Sequence, residues 1–335
     1  MNEMWTFSEV DAAVAGRLQP LLPAKAFDIH AHLYRLRDMA DPPPALAAKG
    51  PGVVTRETWR TSLAQQVGPS RPAGALFIPY PTRGGDVEAG NAFLISQLGE
   101  GRLDRGLIVV TPQSSPEAIE QCAAHPLVCG FKPYHVFADR AQTFDAAIEE
   151  YLPEWAWELA DAQGLVSTLH MVRHGALADP ANQRTIRTMC AKYPNAQLIL
   201  AHAARGFHAP NTIDGLPALE GLDNVWFDTA AVCEPDAIMA VIKAFGPRRL
   251  LWGSDFPVSA VRGKCVTVGD AFSWICPRRV DDHPEAPECR PILVGLESLR
   301  ALCLAAQLLD LTPQDLEDIF LNNALRLLGI EKAPA

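Results

Sequence analysis

The chain has 335 residues, 48% of them hydrophobic, and a formal net charge of -10. That apolar share supports one large core, and the acidic balance leaves no basic footprint for nucleic acid. No stretch of about 20 unbroken apolar residues is present, so neither a membrane-spanning helix nor a membrane partner is expected.

The N-terminus, Met1-Asn2-Glu3-Met4-Trp5, lacks the basic start and apolar run of a signal peptide. Residues 4–22 predict a helix. Eight short apolar runs follow, at 26–33, 74–80, 106–111, 127–134, 165–171, 197–203, 224–229 and 249–255. They are near-continuous in Val, Ile, Leu and Phe, as in strands buried on both faces. Helical patterns lie between them, at 56–67, 86–99, from Ser115-Pro116-Glu117, and at 144–163, 180–193 and 235–245; that at 210–220 is weak. Two connections are long, 34–55 and 256–290, and both leave the C-terminal ends of strands, which makes them candidate lids. A helix over 291–309 follows. Thr312-Pro313-Gln314-Asp315 then caps a last helix ending at Gly329. Alternating strands and helices with no repeat or linker predict a single α/β domain over residues 1–335. Eight cysteines without a C-x-x-C pair predict free thiols in a reducing cytoplasm. Nothing in the composition decides whether the chain forms homo-oligomers.

Residues able to hold a metal sit at the C-terminal ends of four runs: His30 and His32, His170, His202, and Asp255. Strand residues two apart point the same way, so His30 and His32 can reach one ion. In a closed parallel barrel such strand ends meet at one mouth. Imidazole and carboxylate are ligands that zinc and similar ions take. The pattern therefore predicts a (β/α)8 TIM barrel with an N-terminal helix, long loops after strands one and eight, and a bound divalent metal, foremost zinc. A zinc ion held by imidazoles lowers the pKa of a bound water to about 7. Asp255 would accept that proton and pass it to a leaving group, and His202 would donate to developing oxyanion charge. His202 also has a plainer reading, as a core histidine beside the site. Asp28 lies deeper and is read as orienting the ligands.

The segments Asp28-Ile-His30-Ala-His32, Gly130-Phe-Lys132, His170, Leu200-Ala-His202-Ala, Trp252-Gly-Ser-Asp255-Phe-Pro257 and the tail from Ile319 to Gly329 together resemble the amidohydrolase superfamily. More narrowly, they are similar to the amidohydrolase-2 family, which includes aminocarboxymuconate-semialdehyde decarboxylase. The resemblance implies His30, His32 and His170 as metal ligands, Asp255 as a ligand or general base, and His202 as the histidine that orients water or polarises substrate. It leaves Lys132 with two roles. It either bridges two ions in carboxylated form, with His170 and His202 on the second, or contacts an anionic substrate as an ammonium beside one ion. The second is favoured. Pro133 and Tyr134 stand where a histidine is more usual near this lysine.

Residues just past the strand ends are expected to touch substrate: Tyr34, Arg35, Arg83, Tyr134, His135, Arg173, His174, Arg205, His208, Arg262 and Lys264. So many cations at one mouth of an acidic protein point to a small carboxylate-bearing substrate, since arginine grips carboxylate with paired hydrogen bonds. Trp59, Trp155, Trp157 and Trp274 could face a ring, although tryptophans on helix faces usually belong to the core. The expected activity is hydrolysis of an amide or lactone by metal-activated water. Metal-dependent, non-oxidative decarboxylation, a lyase reaction, is the alternative.

Overall fold

The computed structural model describes residues 5–99, 101–281 and 283–331. The expectations for Met1–Met4 and for Asp282 lie outside them. The strands are β1 (Ala26–Arg35), β2 (Val53–Val54), β3 (Pro72–Pro79), β4 (Arg105–Val110), β5 (Val128–Pro133), β6 (Val166–Leu169), β7 (Gln197–Leu200), β8 (Val225–Asp228), β9 (Leu250–Leu251), β10 (Lys264–Val268) and β11 (Ala271–Ile275). The first nine form one sheet in the order β2-β1-β3-β4-β5-β6-β7-β8-β9, parallel throughout except for the antiparallel β1–β2 pair. The sheet curls until its ends meet. Ile29 N donates to Trp252 O at 3.0 Å, Asp255 N to His30 O at 2.8 Å, and His32 N to Phe256 O at 2.6 Å. Those bonds carry the Asp255 segment onto β1, although the regular part of β9 is only two residues long.

The strand positions match the apolar runs because both faces are covered. One face packs on the surrounding helices. The other forms an inner core of Phe27, Ile29, Leu76, Leu107, Ile199 and Leu251. Helices occupy Glu9–Leu18, Arg56–Val67, Val87–Gln97, Pro116–Ala123, Glu154–Gln163, Pro180–Lys192, Pro235–Phe245 and Val294–Leu308. The N-terminal helix is shorter than predicted because Ser8 caps it in a capping box with Asp11. The helix predicted over 144–163 is another correction. Pro153 starts the true helix, and single 3-10 turns at Thr143–Asp145 and Ile148–Glu150 precede it.

The loop after β9 differs more from its sequence reading. It contains the hairpin β10–β11, with a tip at Gly269-Asp270. The hairpin lies over the C-terminal end of the sheet. Thr267 N donates to Glu234 Oε2 at 2.9 Å, and His208 Nε2 lies 3.2 Å from Gly269 O. Phe207 packs on Phe272 and Trp274 with ring centroids 5.2 and 5.5 Å away. No helix among the described residues is long and apolar enough to cross a membrane.

Candidate metal centre and its cavity

Beneath the hairpin lies a cavity of about 960 Å³, with His30, His32, Lys132, His170, His202 and Asp255 in its lining. Three of these converge most closely: His30, His32 and Asp255 each bring one donor atom within 4.8 Å of the others. Asp255 Oδ1 is 3.6 Å from Nε2 of both His30 and His32, and Asp255 Oδ2 is 4.0 Å from His202 Nδ1. The alternation of β1 aims both of its histidines inward, as the spacing predicted. His170 joins the group through His202, Nδ1 to Nε2 at 2.9 Å.

The hydrogen bonds at the back of each ring decide where its proton sits. His32 Nδ1 faces the Pro79 carbonyl at 3.3 Å, and His202 Nδ1 faces the Ala230 carbonyl at 2.8 Å. A carbonyl only accepts, so both Nδ1 atoms carry hydrogen. His202 Nε2 is then the acceptor for His170 Nδ1–H, which leaves His170 Nε2 with a free lone pair. His30 Nδ1 faces Asp228 Oδ2 at 3.0 Å and donates likewise. His30, His32 and His170 thus all carry the proton on Nδ1 and keep Nε2 as a lone-pair donor. Burial, reinforced by the Lys132 ammonium, holds His30 well below the ordinary imidazole range. Burial also lowers His32, and lowers His170 strongly with added repulsion from His202. Burial alone would raise the Asp255 pKa, but His202, His32 and His30 outweigh it and keep the group a carboxylate. Neutral imidazoles beside a carboxylate are the donor set a borderline divalent ion takes, so these residues fit a metal.

Lys132 is buried, with Nζ 3.4 Å from His30 Nε2. Burial lowers its pKa to about 8. Asp28 is fully buried and accepts from Ser254 N at 2.8 Å, Ser254 Oγ at 2.5 Å, Trp59 Nε1 at 2.8 Å and His30 N at 3.1 Å. It ties the first strand to the Gly253-Ser254-Asp255 turn and lies behind the donor set. Burial raises its pKa to about 6 against these bonds.

His202 sits in a turn. Residues His202, Ala203, Ala204 and Arg205 have φ of 58°, 48°, 60° and 62°. Left-handed backbone costs a non-glycine residue about 1–2 kcal/mol, so the turn needs anchors. His202 N donates to Asp228 Oδ1 at 2.7 Å, Gly206 N to His202 O at 2.6 Å, and Thr212 Oγ1 to Ala203 O at 2.8 Å. Asp228 was not singled out from sequence. The available signal was its place at the C-terminal end of an apolar run, Val225-Trp226-Phe227-Asp228.

The expected substrate contacts divide. Tyr134, His135, Arg83, Arg205, Arg262, Lys264 and Trp274 line the cavity. Tyr34, Arg35 and Arg173 do not, and that corrects the sequence reading. Tyr34 is sealed under the loop before β2: a Cβ on Gly50 would lie 2.7 Å from its hydroxyl. Arg35 turns outward to Asp38 at 2.6 Å and over the Phe93 ring at 4.7 Å. Arg173 pairs with Asp179, the cap of the helix Pro180–Lys192, at 3.2 Å. His208 and the exposed His174 contact the hairpin tip, His174 Nε2 lying 3.5 Å from Asp270. Arg205 donates to the carbonyls of Val172 and Arg173 and lies over the Phe272 ring, while its Nε has no hydrogen-bond partner among the described residues. Trp59 and Trp157 are buried, and Trp155 packs against the core.

The family model described as Amidohydrolase matches residues 27–330. The chain belongs to the amidohydrolase-2 family. A comparison with curated proteins gives no match. Among solved structures, an amidohydrolase from Burkholderia multivorans is 16% identical, with a TM-score of 0.63 over 92% of this chain and 100% of that one; a second crystal form of it contains zinc. A candidate 2-pyrone-4,6-dicarboxylic acid hydrolase from Pseudomonas putida is 17% identical, with a TM-score of 0.57 over 93% and 100% of the two chains. A dihydroxybenzoic acid decarboxylase from Polaromonas, holding manganese and 2-nitroresorcinol, is 15% identical, with a TM-score of 0.57 over 93% and 98%. These likenesses concern the fold. Structures named for hydrolysis and for decarboxylation share it.

Proposed function

We propose that this amidohydrolase-2 protein is a metal-dependent hydrolase of an amide or lactone bond in a small, carboxylate-bearing molecule. The reading takes the fold as one (β/α)8 barrel domain and the cofactor as a single divalent ion, foremost zinc. The observation that carries it is the shared tautomer of His30, His32 and His170, with Nε2 of His30 and of His32 each 3.6 Å from Asp255 Oδ1. These four residues would hold the ion, which supplies Lewis acidity and makes water acidic enough to attack at neutral pH. Asp255 holds a proton at Oδ1 or Oδ2 and returns it to the leaving group. His202 orients His170 and faces the reacting region. Lys132, Tyr134 and Arg205 are placed to meet the substrate's carboxylate and its body.

The second reading, non-oxidative decarboxylation, is favoured by the aromatic walls: Tyr80, Tyr134, Phe207, Phe272 and Trp274 suit a flat acid. There Asp255 would deliver its proton to carbon. The test supplies zinc- or manganese-loaded protein with acidic lactones, amides and aromatic acids, and analyses the products. Ring-opened or cleaved acids support hydrolysis, and released carbon dioxide supports the second reading. Protein that binds no divalent ion would defeat both. Turnover of a neutral methyl ester as fast as the acid would remove the carboxylate from the substrate description.

A further inference from the structure

Asp228 is a buried charged group at the floor of the site to which neither reading assigns a role. It is fully buried at the C-terminal end of β8, and both its oxygens are in use. Oδ2 accepts from His30 Nδ1 at 3.0 Å. Oδ1 accepts from His202 N at 2.7 Å and from Ala230 N at 3.0 Å. The Ala230 carbonyl, two residues along from Asp228, in turn accepts from His202 Nδ1. One carboxylate therefore sets the proton on His30 and pins the start of the left-handed turn that presents His202. Through the next bond, His202 Nε2 sets the proton on His170.

We propose that Asp228 is the positioning residue that writes the tautomer of the donor set, directly on His30 and through the Ala230 carbonyl on His202 and His170. This deepens the metal reading of the same site and rests on it. Two features separate it from mere structural filling. A carboxylate can only accept, so His30 has no alternative but to donate from Nδ1 and keep Nε2 for a ligand. Asp228 is also absent from the cavity lining, so it reaches the reacting region only through the residues it orients.

His30, His202 and Asp228 also bring donor atoms within 4.8 Å of one another and could be taken for a second ion site. The bonds argue otherwise. Both Nδ1 atoms are committed, one to Asp228 and one to Ala230 O, and Asp228 Oδ1 already accepts two N–H groups.

Asp228→Asn makes the distinction sharp. The amide oxygen can still accept from His202 N and Ala230 N, which keeps the turn. The amide nitrogen now faces His30 Nδ1 as a donor. His30 must then accept at Nδ1 and move its proton to Nε2, the atom that should bind the ion. Nitrogen-15 shifts of the metal-free wild type should report His30 protonated on Nδ1, and those of Asp228→Asn should report Nε2. Zinc affinity, measured by competition with a chelator, should fall about 10–100-fold, the usual effect of losing such a partner.

A wild-type His30 protonated on Nε2 would overturn the proposal, and that measurement needs no folded variant. So would a folded Asp228→Asn protein that loses zinc affinity with His30 unchanged, because the role would then be structural. Two zinc ions per wild-type chain, with one lost in Asp228→Asn, would replace it with the second-site reading. A wild type that binds no zinc but shows Nδ1–H on His30 would defeat the metal reading and leave the tautomer assignment standing.

Discussion

The floor of the cavity and its mouth are built on opposite principles. On the floor, Asp28 within β1, Asp228 at the end of β8 and Asp255 just past β9 are buried and orient histidines or the turn beside them. At the mouth, several of the charges most visible in sequence are braces between loops. Arg262, on the cavity wall, is held by Asp11 at 2.8 Å and by the carbonyls of Thr6 and Pro291. Arg35 and Arg173 serve Asp38 and Asp179. The cation content of a mouth therefore overstates its capacity for substrate, because an arginine in a loop is as useful to its neighbours' carbonyls as to a ligand.

The largest expected effect lies on the floor. Asp255→Asn should cut turnover about 100-fold or more if the carboxylate moves the proton. Retention of the ion, measured by metal analysis, would keep ligation and proton transfer apart. Near-normal turnover in metal-loaded Asp255→Asn protein would erase the special status given to the floor.

An intermediate effect tests the brace. Asp11→Asn removes the charge that holds Arg262 and should cost about 2–3 kcal/mol of stability near pH 7. Burial alone would raise the Asp11 pKa, but its bonds from Arg262, Ser8 and Leu293 outweigh that and place it below 3.8. A folded-state pKa below the unfolded one adds stability above the unfolded value, and that stability is lost as pH falls through the folded one. The Tm gap between wild type and Asp11→Asn should therefore be full near neutrality and close below pH 3.8. A gap independent of pH would mean that Asp11 acts through packing.

The smallest effects discriminate within the mouth. Arg205→Met should weaken substrate binding about tenfold, since this guanidinium lines the cavity and its Nε has no partner among the described residues. Arg173→Met should change it about twofold or less. Equal losses in the two, at unchanged metal content, would show that braces and contacts cannot be separated here.

The sequence alone located the strands, because a strand covered on both faces must be apolar along its length. It also placed His30, His32, His170, His202 and Asp255 at strand ends, where the order of elements along the chain is enough to gather them. The hairpin β10–β11 was legible in principle, in the alternation of Lys264-Cys-Val-Thr-Val before Gly269-Asp270, but its length and prolines read as a loop. Three matters were decided only by tertiary structure. Asp228 became a partner of His30 because the meeting of the sheet's ends puts β8 next but one to β1, across β9, although the two residues are 198 apart in sequence. His202 left the strand for a left-handed turn because Asp228 and Thr212 hold it there. Tyr34, Arg35 and Arg173 turned from the cavity because Gly50, Asp38 and Asp179 stand nearby. The physical reason is common to all three. Periodicity is local and sets which face a side chain leaves, whereas a hydrogen bond is satisfied by whichever partner the folded chain brings within about 3 Å.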